Sequence, residues 1–241
     1  MHYQNTYRGF ENAENALKLV RSATALWDAL GKDDAYVKGM SRNAILLFNQ
    51  ESFEDSIKIN RRIVDFIGSP VTSFTEDQIG WAVLRIADCF KVLEEWEESL
   101  EWLDSTRIFG INSTHGGNTW YYSLKAHALY QLDRHEEAFG VAETALRQTK
   151  NEEANIYTAR LYEIKAKVSL EQNRPDKERH LAHAISLLLA FGEDDKAREM
   201  SIYFKPDFTT QPTSSILGEQ PVEKTSSFDE PSTFRLQTLN E

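Results

Sequence analysis

The chain has 241 residues, 41% of them hydrophobic and 27% charged, with 38 acidic against 27 basic side chains and a formal net charge of −11. A chain of that length can bury roughly 70% of its unfolded surface, while its acidic balance argues against general binding to nucleic acids or anionic membranes, which needs a basic footprint. One cysteine, Cys89, excludes an internal disulfide framework and any multi-cysteine metal site.

The opening residues MHYQNTYRGFENAEN are polar and lack the apolar run of a signal peptide. No stretch approaches the roughly 20 apolar residues of a membrane span, so a soluble cytoplasmic protein is expected. A first helix is expected at about 12–30, closed by Gly31. Helical runs then come in twos: 35–50 with 53–67, 76–93 with 96–109, 118–132 with 135–149, and 153–172 with 176–191. Their apolar residues recur at helical spacing, as in Ile86, Ala87, Phe90 and Leu93. A short helix near 194–203 ends this part, and the connections within each pair are too short for anything but an antiparallel arrangement.

Turn signals share one rhythm. Gly31, Gly68, Gly110 and Gly192 each follow an apolar run, where a helix ends on a left-handed residue that glycine adopts without a Cβ clash. Asn151 fills the remaining place. The positions 31, 68, 110, 151 and 192 are spaced by about 40 residues, the mark of a structural repeat.

After residue 204 the composition changes. Four of six prolines (Pro206, Pro212, Pro221 and Pro231) fall there, among Ser, Thr and isolated apolar residues. Ordering a backbone costs about 1–2 kcal/mol per residue, which such a segment cannot recover by burial. Residues 205–241 are therefore expected to form a disordered acidic tail, with three basic and six acidic residues, after an N-terminal segment and capping helix at 1–34 and helical repeats at 35–204. Around FDEPSTFRLQTL, Phe228, Phe234 and Leu236 could serve as a short recognition segment.

Superposing the pairs aligns Ala44, Ala87 and Ala126 in the first helices with Ser56, Ser99 and Ala138 twelve residues later in the second. Bulky Phe53, Trp96 and His135 stand three positions before the latter. Helices approach closely only where side chains are small, with a large neighbour closing the gap. This arrangement resembles the tetratricopeptide repeat over roughly 35–191, in a variety with longer helices than the usual 34-residue unit. In the fourth pair Ala166 fits, but Glu178 occupies the small position, Pro175 suits the first turn, and Ala182 is the substitute contact. The resemblance implies an all-α fold, a right-handed α-solenoid of antiparallel helix pairs whose first helices line a concave groove. The alternative is a compact helical bundle.

Carried over residue by residue, the groove positions are Lys38, Ser41, Ile45 and Phe48, with Arg42 nearby. The second repeat supplies Trp81, Leu84, Asp88 and Lys91, with Arg85 beside them. The third supplies Trp120, Ser123, His127 and Tyr130, and the fourth Arg160, Glu163 and Lys167. The paired Lys and Asn set of the family's terminal-carboxylate clamp is incomplete. The lining is aromatic and cationic in an acidic molecule, which suits an acidic or amphipathic protein or peptide ligand. Trp81 and Trp120 could instead pack between repeats. On the second helices, EEWEESLEWLD and its equivalents place acids at helix starts, where they offset the helix dipole.

No catalytic, cofactor or metal residue is assigned. His180 and His183 form an HxxH, yet a metal would need a further converging ligand. Cys89 reads as a buried, inert thiol, and His115-Gly116-Gly117-Asn118 as a bend between repeats. P-loop, GxGxxG and GxSxG signatures do not occur. The expected function is a non-enzymatic protein- or peptide-binding module. The alternatives are a peptide-responsive regulator that switches a partner protein and, more remotely, a metal-dependent hydrolase.

Overall fold

The computed structural model describes residues 13–66, 73–105, 117–150 and 153–203. The chain divides after Lys205 into two units. The expected tail with its recognition segment lies outside the described residues, as do Gly68, Gly110, His115, Gly116 and Asn151.

All regular structure among the described residues is helical: α1 (Ala13–Ala29), α2 (Asp33–Asn49), α3 (Phe53–Asp65), α4 (Ser73–Val92), α5 (Trp96–Ser105), α6 (Gly117–Gln131), α7 (His135–Gln148), α8 (Ile156–Glu171), α9 (Lys177–Ala190) and α10 (Asp194–Ser201). The pairs α2/α3, α4/α5, α6/α7 and α8/α9 are those the apolar spacing predicts. Gly117, expected in a bend, opens α6 instead. The second helices α3, α5 and α7 each carry two acids in the first turn, where they meet the positive end of the helix dipole. α8 starts on a capping box: Asn155 accepts from the backbone of Tyr157 and Thr158, and the Thr158 hydroxyl accepts from the Asn155 backbone.

Six turns share one geometry. Gly31, Glu51, Glu94, Asp133, Asn173 and Gly192 all adopt positive φ, between 51° and 74°. In each, the next amide reaches five residues back, as Ser52 does to Leu47, Glu95 to Phe90, Arg134 to Leu129, Arg174 to Ser169 and Glu193 to Leu188, all at 2.9 Å. The amide of the positive-φ residue itself reaches three residues back, as Glu51 does to Phe48 and Glu94 to Lys91, and this double closure satisfies the last carbonyls of the helix. Four of the six positions hold a residue with a Cβ, so glycine marks the motif at only two of them.

The small residues meet as the superposition requires. Ala44, Ala87, Ala126, Ser56, Ser99 and Ala138 are all fully buried, and the hydroxyls of Ser56 and Ser99 donate to the carbonyls of Ala44 and Ala87. The fourth pair corrects the sequence reading. Its turn spans 172–176, two residues longer than 50–52, 93–95 and 132–134. The insertion advances the phase by two, so Glu178 and Ala182 both lie exposed. His180 takes the buried position and bonds through Nδ1 with Ser169 Oγ at 2.9 Å, while Leu181 and Ala184 provide the apolar contact.

First helices also pack on the first helices of neighbouring pairs: α2 on α4, α4 on α6 and α6 on α8. No comparable packing joins one second helix to the next among the described residues. There, long side chains bridge the gap. The Arg61 guanidinium lies 5.6 Å from the Trp102 ring centroid, and Arg174, in the turn before the fourth second helix, reaches both the Phe139 ring and the Glu136 carboxylate. α1 covers the other side of α2, at Gly39. A Cβ built there would stand 2.3 Å from Thr24 Oγ1, which is why this helix approach requires glycine.

Candidate functional site

Most of the residues expected to line a groove in the second to fourth repeats sort into three groups. On the N-terminal part of the first helices, three rings form a ladder across successive repeats. Trp81 and Trp120 have centroids 5.6 Å apart, and Tyr157 stacks on Trp120 at 5.7 Å with 22° between planes. Trp120 is 9% exposed and packs with Leu84, Ala87, Leu103 and Leu124. Its indole is thus a packing element between repeats, the option the sequence left open. Tyr157, one turn before the expected Arg160, was not among the predicted residues. Its only sequence signal is its place just after the Asn155 cap.

One turn onward lies an ionic group centred on His127. Asp88 pairs with Lys91, and Glu163 with Lys167 at 2.8 Å. Arg160 stands 3.8 Å from Glu193, which also faces Lys196 at 3.5 Å. Burial and then the charge of Lys91, with Lys167 and Arg160 behind it, push the His127 imidazole from its ordinary 6.5 down to about 4, against the pull of Glu163. Trp96 packs on the same ring at 5.3 Å. Burial works against the charge on Glu163, but Lys167, Lys196 and His127 hold its carboxyl below the usual range.

At the C-terminal end of the first helices, Tyr130 stacks on His135 at 5.1 Å and donates to Glu171. His135 Nδ1 also meets Glu171, at 2.9 Å. Burial and then this bond raise the Tyr130 hydroxyl above its ordinary value. Lys167 sits 5.9 Å from the Tyr130 ring centroid.

The remaining predicted residues lie apart from this centre. Lys38 and Arg42 are exposed on α2. Phe48 meets Phe53 edge-on at 5.3 Å and packs with Ile57, Ile86 and Cys89. Arg85 is held by neighbours: Nη2 donates to Ser41 Oγ at 2.6 Å and Nε to Asn60 Oδ1 at 3.3 Å, while Asn60 donates to the Ser56 carbonyl. This cation joins the first two repeats.

The histidines of the HxxH diverge. His180 is buried against Ser169, with Nε2 3.3 Å from Asp176, whereas His183 is exposed against the Tyr162 ring at 4.2 Å. The Ser169–His180–Asp176 chain has the residue types of a hydrolytic triad, but Ser169 is fully buried, so no substrate carbonyl reaches its hydroxyl. Burial and then Lys165 keep the His180 pKa below its ordinary value. No group of three or more potential metal ligands occurs among the described residues, and no helix there is long and apolar enough to cross a membrane. Burial pushes the Cys89 thiol up to about 12, so no thiolate nucleophile is available.

No family model and no curated protein matches the chain. Solved structures do. A kinesin light chain-like protein of Podosopora anserina with nearly identical TPR-like repeats superposes with a TM-score of 0.58 at 11% identity, covering 77% of this chain and 91% of that one. BtubC (BKLC) from P. vanneervenii superposes at 0.50 with 14% identity, covering 87% of this chain and 99% of that one. At such identities the likeness is one of fold.

Proposed function

We propose that this TPR-like helical repeat protein is a non-enzymatic interaction module that holds an acidic or amphipathic polypeptide segment along its first helices. The TPR-like repeat fold suggests a protein-interaction scaffold. One observation carries the finer reading. In a molecule of net charge −11, the group around His127 sets Lys91, Arg160 and Lys167, with Lys196 from α10, against Asp88, Glu163 and Glu193, and Lys38 and Arg42 add exposed cations apart from it on α2. An aromatic ladder borders that group. Apolar contact on rings beside cations is the composition from which most interface energy is drawn, and complementary charge selects the partner and speeds its approach.

The test compares two charge reversals in capture from native lysate. Lys38→Glu with Arg42→Glu alters the first-helix side at exposed positions. Glu98→Lys with Glu101→Lys alters the outer wall, also at exposed positions. Loss of the captured set with the first pair and retention with the second is expected. The reverse pattern would place the binding surface on the second helices.

A further inference from the structure

The second helices of the repeats each pack on two neighbours. α3, α5 and α7 lie against the first helix of their own pair and the first helix of the next, and α9 lies against α8 and α10. α1 likewise precedes a first helix, but it packs closely on α2 alone among the described residues. It turns Ala16, Leu17 and Thr24 inward. On another side Leu19, Leu26 and Leu30 are 69%, 58% and 59% exposed, and their spacing of seven and four residues puts them on one stripe. Ser22, Ala25 and Ala29 run beside it, also exposed. Single surface leucines are ordinary. An aligned set on a terminal helix is not, because the end helices of a repeat array carry a polar outer face. α10 follows that rule at the other end: Asp194, Asp195, Arg198 and Glu199 are exposed along it, and the exposed Ile202 and Tyr203 come after its last turn.

The order of large and small side chains determines what fits the α1 face. Run antiparallel and centred level with Thr24, two copies of α1 set Leu19 of one against Ala29 of the other, and Leu26 against Ser22. Each leucine then enters the gap left by a small residue, the complementarity on which close helix packing depends. Antiparallel is also the direction of the neighbour that α1 lacks, since short connections make each pair of helices antiparallel. We infer that the exposed face of α1 is the contact surface of a symmetric head-to-head dimer of this chain. A two-fold contact closes after two copies, and the charged surface of α10 offers the leucine stripe no match for head-to-tail growth. Each face is a half-cylinder about 25 Å long and 10–12 Å across, so two of them bury on the order of 1,000 Å², at the low end for specific association. The dimer therefore exchanges with monomer at roughly micromolar concentration.

Sedimentation velocity of the full chain from about 1 to about 100 μM tests this. The mass is expected to rise from one chain towards two. Leu26→Glu sets a carboxylate against the other copy, where desolvation opposes it, and should weaken dimerisation at least about hundredfold. Leu26 is exposed in the single chain, so the melting temperature of the dilute variant should match that of the dilute parent. Ser22→Arg tests the register. Mixed with Leu26→Glu, it should restore a dimer containing one chain of each, with arginine facing glutamate across one half of the contact and the native Leu26 and Ser22 meeting across the other. A parent that stays monomeric at about 100 μM overturns the dimer. If Leu26→Glu then lowers the melting temperature, another segment of the same chain covers the stripe; if it does not, the stripe is left to a different protein. A parent dimer that survives Leu26→Glu overturns the α1 contact, and a mixture that fails to pair overturns its antiparallel register.

Discussion

The hydroxyl of Ser99, in the first turn of α5, donates to the carbonyl of Ala87 in α4 at 2.9 Å, and both residues are fully buried. Two helix backbones meet here with only a hydroxymethyl and a methyl between them. Ser99→Ala removes one hydrogen bond and should lower unfolding free energy by about 1 kcal/mol. Ser99→Leu forces the pair apart and should cost 1–3 kcal/mol or more. Urea melts of the two variants check the order, and equal losses would show that the helices are not closely apposed at this point.

Glu94 makes the turn between α4 and α5 with φ at 61°, and Gly192 makes the equivalent turn after α9 with φ at 74°. A Cβ is strained in this region, whereas glycine is at ease. Glu94→Gly is therefore expected to be neutral or stabilising by up to about 1 kcal/mol, and Gly192→Ala to be destabilising by about that amount. Calorimetric melting temperatures moving in opposite directions would bear this out, and a parallel fall would not.

Arg85 joins three polar groups: its own guanidinium, the Ser41 hydroxyl and the Asn60 amide, the last two almost completely buried. Arg85→Ala strands both partners and should destabilise by about 1–3 kcal/mol. Arg85→Lys should recover little, because a point ammonium cannot span the two acceptors as a fork does. Denaturation midpoints of the two variants decide this, and a substantial rescue by lysine would argue that charge alone matters at the joint.

His127 is held neutral in the folded chain, its pKa lowered by burial and then by Lys91 from 6.5 to about 4. The unfolded chain takes up this proton at higher pH than the folded one. The contribution is therefore fully favourable above pH 6.5 and is lost as pH falls from 6.5 through 4, by up to about 3 kcal/mol. His127→Gln, measured by urea denaturation at pH 7 and pH 4.5, should show a smaller drop across that interval than the parent. An equal drop would mean that other groups carry the acid sensitivity.

Much of this architecture was legible because its signals are local. The apolar spacing of Ile86, Ala87 and Phe90, together with the small pairs Ala44/Ser56 and Ala87/Ser99, located both the helices and their points of closest approach. The fourth pair escaped because the two extra residues in its 172–176 turn moved the phase, so His180 replaced Glu178 at the buried position. Glu51, Glu94 and Asp133 escaped as turn residues because a carboxylate side chain gives no sign of positive φ. At the candidate site, the alignment located Lys91, His127, Arg160 and Lys167 but not their engagements. Whether an arginine on a first helix faces outward or spans to Ser41 and Asn60 depends on residues 44 and 25 positions away, which no periodicity encodes.

The direct contact of neighbouring first helices, set against the side-chain bridges on the second-helix side, Arg61 to Trp102 and Arg174 of the 172–176 turn to Glu136, gives the array a preferred way to flex. Its elasticity has a direction, like that of a book bound along one edge. Fanning the outer leaves stretches long, adaptable tethers, one of them an exposed ion pair that salt weakens, whereas prising apart the bound edge means unstacking indoles and separating close-packed helices. Mechanical compliance in this molecule should therefore rise with ionic strength along one axis and hardly at all along the other.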